Sequence, residues 1–171
     1  MIYDSFDKIY EEYFDKVYNY IFGQMLNREI SEDLTEDVFV KVLTNLDRYD
    51  PARGAKVSTW IFTIARNVVA DYRKRAYVNR EDAMDDSVEL ISRDDRYYFD
   101  DPSSLKYVEN RKLFNILCRL TDDEKDFLGL RYGLEMTNDE IANMLNITPK
   151  AVSDRYSRLL NKCRLIHEKN S

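Results

Sequence analysis

Glycine and proline are scarce in this chain, at four and three among 171 residues. Sandwiches and barrels need many tight turns, and long stretches here repeat at helical spacing instead, so an all-α fold is expected. Cysteine is scarce too. Cys118 and Cys163 are solitary, form neither a CxxC pair nor a secreted framework, and read as reduced, structural thiols. The only histidine, His167, could share a helix face with Cys163, but two ligands do not make a zinc site, so neither metal nor cofactor is expected. No apolar run approaches a membrane span and no signal peptide opens the chain, which predicts a cytoplasmic protein without membrane insertion. A Gly-rich phosphate loop, a nucleophile elbow and a carboxylate paired with His or Cys are all missing, which argues against an enzyme.

What is present is ordinary globular material, 44% hydrophobic and 34% charged, with length for one sizeable core or two small ones. The net charge of −6 conceals a strong division along the chain. Residues 1–50 carry twelve acids against five bases, whereas residues 51–80 carry seven bases against the single acid Asp71. Residues 81–101 reverse the sign with nine acids against Arg93 and Arg96, and residues 149–169 return to six bases against Asp154 and Glu168. Two phosphate-facing surfaces joined by an acidic strap would give this map.

Apolar spacing divides the chain further. Phe6, Ile9, Tyr10, Tyr13, Phe14, Val17, Tyr18, Ile21, Phe22 and Met25 predict an amphipathic helix over about residues 5–27, its aromatic stripe turned to the core. A second helix is expected to open at Ser31 and bury Leu34, Val38, Val42 and Leu46, leaving Asp33, Glu36 and Asp37 on an acidic outer face. The Asp50–Gly54 run breaks it. A third helix over about residues 58–75 buries Ile61, Ile64, Ala65, Val68 and Tyr72, and exposes Arg66, Asn67, Arg73 and Lys74. Trp60 reads as core by its helical phase rather than as a stacking residue. From Asn79 to Ser104 the periodicity stops and acids dominate, which marks a linker whose Tyr97-Tyr98-Phe99 cluster reads as a local packing patch. Helical spacing resumes at Leu105, and Thr121-Asp-Asp-Glu124 is a capping box for a helix ending near Gly133.

The last third carries the most specific local signal. Thr137 with Glu140 forms a second capping box, Thr148 caps a further helix with Pro149 at its first position, and Asn146 tolerates the positive φ that a sharp turn between them requires. Ala142 is small where the helices would cross, and Ile141, Leu145, Ile147 and Val152 supply apolar contacts. The unit reads as a helix-turn-helix, which lays its second helix in a DNA major groove.

Three segments, in order, resemble a bacterial RNA polymerase sigma factor of the extracytoplasmic-function (ECF) group: Glu32–Phe39, Asp47–Gly54 and Trp60–Asn67, followed by the helix-turn-helix. The resemblance implies two small helical domains, residues 1–77 (region 2) and 105–171 (region 4), joined by a flexible acidic linker at 78–104. It implies that Asp33, Glu36, Asp37 and Lys41 dock on the β′ clamp helices of core RNA polymerase, with the β subunit a further contact. Arg53, Lys56, Arg66, Asn67, Arg73 and Lys74 would then open and hold the −10 element of promoter DNA. Lys150, Ser153 and Asp154 would approach bases of the −35 element, and Thr148, Arg155 and Arg158 its phosphates. Arg155 could alternatively pair with an acid of its own domain, and Asp154 could either select a base or face away. Many members of the family are held inactive by an anti-sigma factor. The chain departs from the family in having Asn146 for a usual Gly, Glu36-Asp37 for Gln-Glu, and Leu43 where Trp is frequent. The alternative is a stand-alone helix-turn-helix regulator, which leaves the acidic second helix and the basic 51–80 segment unexplained.

Overall fold

A computed structural model of the chain describes residues 2–54, 56–83 and 105–169, with side chains at 5–54, 56–79 and 111–169. The described residues form seven α-helices and no strand. The helices are α1 (Ile2–Met25), α2 (Arg28–Asn45), α3 (Val57–Ala83), α4 (Leu105–Leu117), α5 (Asp122–Tyr132), α6 (Asn138–Leu145) and α7 (Pro149–Lys169). Two short 3-10 turns, Leu46–Arg48 and Pro51–Arg53, join α2 to α3. The segment 84–104, with Tyr97-Tyr98-Phe99 and most of the expected linker, lies outside the described residues.

The first domain is built on the α1–α2 hairpin. Leu26, at φ 53°, ends α1, and Asn27 caps α2 by accepting a hydrogen bond from the Ile30 amide at 3.0 Å. This corrects the expected start at Ser31. The Ser31 hydroxyl is buried and donates back to the Asn27 carbonyl at 2.5 Å, and the buried Thr35 hydroxyl donates to the Ser31 carbonyl at 2.6 Å. Each small residue spends its hydroxyl on its own helix. Leu34, Val38, Phe39 and Val42 of α2 and Ile61, Phe62, Ala65, Val68 and Val69 of α3 bury themselves around Tyr13, Val17 and Ile21 of α1. Trp60 is half-buried, stacked on Tyr49 with ring centroids 5.1 Å apart. Helix α3 runs on to Ala83, past the expected boundary at residue 77.

In the second domain both capping boxes form as read, Thr121 with Glu124 and Thr137 with Glu140. Asn146 adopts φ 57° at the turn, and the Thr148 hydroxyl accepts from the Ala151 amide at 3.1 Å. Phe127, Leu130, Leu134, Ile141, Val152, Tyr156 and Leu159 fill its interior, and the Tyr156 hydroxyl donates to the Phe127 carbonyl at 2.5 Å. Ile147 departs from expectation: it is 37% exposed and contributes little to this core.

The two domains are not separate beads. Their buried residues form one continuous apolar cluster, joined where α1 crosses α5. Tyr20, 1% exposed, sits at that crossing, against Gly129 and Gly133. Burying a side chain of this size stabilises the contact by about 2 kcal/mol.

Candidate polymerase and nucleic-acid interfaces

Helix α2 puts its polar residues outward because its apolar ones repeat at three and four. Asp33, Glu36, Asp37 and Lys41 are all exposed on the side away from Leu34, Val38 and Val42. Sequence reasoning missed two neighbours. Val40 is 59% and Leu43 38% exposed, so the acidic face also carries apolar surface. The signal was available, since Val40 follows Glu36 by one helical turn and breaks a polar stripe.

The residues expected on −10 DNA divide into two sets. Asn67 and Lys74 of α3 are exposed, and Arg53 stands open beside Asp50 at 4.0 Å in the turn before it. The Asp50 side chain accepts from the Ala52 amide at 2.9 Å, and Gly54 takes φ 86°, which fixes this turn ahead of α3. Lys56, Arg66 and Arg73 instead point toward the second domain. Arg66 Nη2 donates to Asp126 Oδ2 at 2.9 Å, Arg73 Nη2 lies 3.5 Å from Asp122 Oδ1, and Lys56 Nζ lies 3.6 Å from Glu140 Oε1. Asp126 also accepts from the Tyr20 hydroxyl, so one carboxylate ties α1, α3 and α5 together. Burial opposes the Arg66 charge, but the Asp126 carboxylate outweighs it and raises the guanidinium above its ordinary value. Burial, then the same carboxylate, pushes the Tyr20 hydroxyl well up, which keeps it a neutral donor. Lys125 completes the seam by donating to the Gln24 carbonyl at 3.2 Å, at an α1 end that has no basic residue of its own in the last turn.

The helix-turn-helix presents Lys150, Ser153, Asp154, Arg155 and Arg158 to solvent. Lys150, Ser153 and Asp154 share one side of α7, three and four residues apart, and Arg155 and Arg158 the adjacent side. Asp154 therefore stands beside Lys150 on the outer surface. Arg155 forms no ion pair with an acid of its own domain among the described residues. Its guanidinium lies 4.3 Å from the centroid of the Phe127 ring, which holds it in place while leaving it exposed. The Thr148 hydroxyl caps α7 as an acceptor and keeps its proton for another acceptor.

Two family models match in chain order: "Sigma-70 region 2" over residues 9–78 and "Sigma-70, region 4" over residues 116–165. The ECF RNA polymerase sigma factor ShbA of Streptomyces griseus is 28% identical over 82% of this chain and 73% of its own. The RNA polymerase sigma factor YlaC of Bacillus subtilis is 27% identical, covering 98% of this chain and 92% of its own. The ECF RNA polymerase sigma factor SigW of Bacillus subtilis is 29% identical over 91% and 84%. Among solved structures, CnrH in complex with the cytosolic domain of CnrY shares the fold, with a TM-score of 0.69 at 19% identity over 98% of this chain and 90% of that one. No helix among the described residues is long and apolar enough to cross a membrane. With both matched regions in order on an all-α chain, this protein belongs to the ECF group of bacterial RNA polymerase sigma factors, non-enzymatic proteins that direct transcription initiation by core polymerase on promoter DNA.

Proposed function

We propose that this sigma factor docks on the β′ clamp helices of core polymerase through the acidic outer face of α2 and reads a two-part promoter with α3 and α7. The observation that carries the reading is the coexistence on one chain of three separate polar faces, each built on a rigid helix. Asp33, Glu36, Asp37 and Lys41, with Val40 beside them, form a charged rim around an apolar centre, which suits protein docking. Arg53 and Lys56 of the turn before α3, and Arg66, Asn67, Arg73 and Lys74 of α3, suit a single strand of the −10 element. Lys150, Ser153 and Asp154 reach toward −35 base edges, with Thr148, Arg155 and Arg158 on phosphates. The β subunit would hold the second domain, and the acidic segment 78–104 would pass between the two readers. A protein partner, as CnrY is for CnrH, would silence the factor by covering these faces. Its place of action is the cytoplasm, where polymerase and DNA meet.

Run-off transcription with bacterial core polymerase on genomic fragments tests the reading. Wild type should yield discrete transcripts, and Lys150→Ala/Arg158→Ala should lose them while still binding core. Transcripts unchanged by that double variant would remove α7 from promoter reading.

A further inference from the structure

A groove of about 590 Å³ runs between α1 and the helices of the second domain, a volume that suits one small molecule. Phe22 and Leu26 of α1 wall it on one side, and Phe114, Leu117 and Leu128 on the other. Leu113, Tyr132 and Leu160 also line it while remaining 50%, 58% and 45% exposed, so large apolar side chains that meet water converge on one place. Gly23 faces the groove from α1. Its backbone is helical with negative φ, where alanine is the better residue, and a methyl group there would meet no atom within 4 Å. No neighbour demands glycine at this position, and its effect is to leave the groove open.

Charge selects among apolar ligands. Lys125 is the one charged residue of the wall, and no Asp or Glu lines the groove with it. Its side chain is mostly buried, with Nζ donating to the Gln24 carbonyl at 3.2 Å and lying 3.4 Å from Asp122 Oδ1. The same carboxylate oxygen lies 3.5 Å from Arg73 Nη2, so one acid faces two cations and a positive charge is left over. An ammonium carries three N–H donors, and these two acceptors account for two of them. Burial pushes the Cys163 thiol up, which keeps it an uncharged part of the wall. An apolar trough with a single cation and no acid fits a ligand with a long apolar body and one negative end.

We propose that this groove binds one long-chain aliphatic carboxylate, a fatty acid, with its chain between α1 and the facing helices α4, α5 and α7 and its head group on Lys125. The walls come from both domains, so occupancy stabilises the chain as a whole by mass action. The site is separate from the faces assigned to polymerase docking on α2 and to base reading on α7, and the proposal does not depend on those assignments.

The test uses the full chain and sodium myristate below its critical micelle concentration. Isothermal titration calorimetry should find one site per chain, with a Kd of about 10–100 µM for a ligand of this size. Cys163 reports occupancy independently. In a Cys118→Ser background it is the only thiol, and saturating myristate should slow its alkylation by a maleimide about tenfold. Gly23→Leu places a side chain in the groove and should abolish both signals. Lys125→Met keeps the aliphatic stem without the charge and should weaken binding by about tenfold. Tetradecyltrimethylammonium, with the same tail length and the opposite charge, should leave Cys163 unprotected in wild type. A circular dichroism melt checks the fold of each variant, and the two ligands on wild type carry the test if neither variant folds. Wild type that takes up no myristate would overturn the proposal and leave the groove to an apolar segment of a partner protein. Binding that survives Gly23→Leu, or a cationic amphiphile that protects Cys163 as well as the acid does, would overturn it too.

Discussion

Reversing the acidic face of α2 should separate folding from function, leaving the first nearly unchanged and damaging the second. Asp33, Glu36 and Asp37 are exposed and form no ion pair with any described residue, so Asp33→Lys/Asp37→Lys deletes no native contact. The reversal makes the 29/33 and 33/36 pairs attractive, keeps the 33/37 pair repulsive and sets a lysine at position 37 one turn from Lys41, each pair worth about 0.2–0.5 kcal/mol, so the terms nearly cancel. Tm should stay within about 2 °C of wild type. Docking on core polymerase should suffer. Charge pairs desolvated in an interface cost about 2–4 kcal/mol when one partner is lost, a fall in affinity of about 30- to 1,000-fold. Fluorescence anisotropy of labelled factor titrated with core polymerase measures the loss, and a circular dichroism melt checks the fold. Undiminished core binding in a normally folded variant would show that this face is only solvated surface. A Tm lowered by 5 °C or more would mean the acids serve the fold.

Other substitutions test the local physics. At Asn146, with φ 57°, Asn146→Gly should leave thermal stability unchanged or raised, whereas Asn146→Val should cost about 1–2 kcal/mol in urea denaturation. Burial tends to raise the Glu124 carboxyl, but Lys162 Nζ, 2.8 Å from both oxygens, and the Thr121 amide and hydroxyl hold it below its ordinary value of 4.5. The depressed value makes its contribution complete above pH 4.5 and lost as pH falls through the lower folded-state value. Glu124→Gln should therefore lower stability near neutrality by about 1 kcal/mol and flatten that acid limb of the urea midpoint against pH.

Elements encoded by neighbouring residues were legible in the sequence. The capping boxes at Thr121 and Thr137, the Asn146 turn and the Thr148 cap stood where they were read, because each depends on side chains within one turn of the backbone they satisfy. Ser31 misled because a hydroxyl before an apolar run looks like a cap, and only the packing of α2 on α1 shows it buried and bonded backward. Tyr20 lay off the α1 stripe because a single stripe was sought, and α1 buries residues against α5 as well as against α2 and α3. Of the α3 residues read as an exposed basic face, Asn67 and Lys74 are exposed, whereas Arg66 and Arg73 are half-buried against the second domain. Their partners Asp126 and Asp122, and the Lys56 partner Glu140, belong to helices far along the chain, and no local spacing encodes such pairing. Gly133 was read only as the end of a helix, and its φ of −82° is right-handed, so its role is the close approach of Tyr20.

Promoter opening tests the central claim most directly. On a genomic fragment that supports run-off synthesis, permanganate should find unpaired thymines at one upstream site only when core polymerase and this protein are both present. A sequence-specific footprint from the protein alone, with no strand opening when core is added, would contradict the account and leave a free-standing DNA-binding regulator in its place.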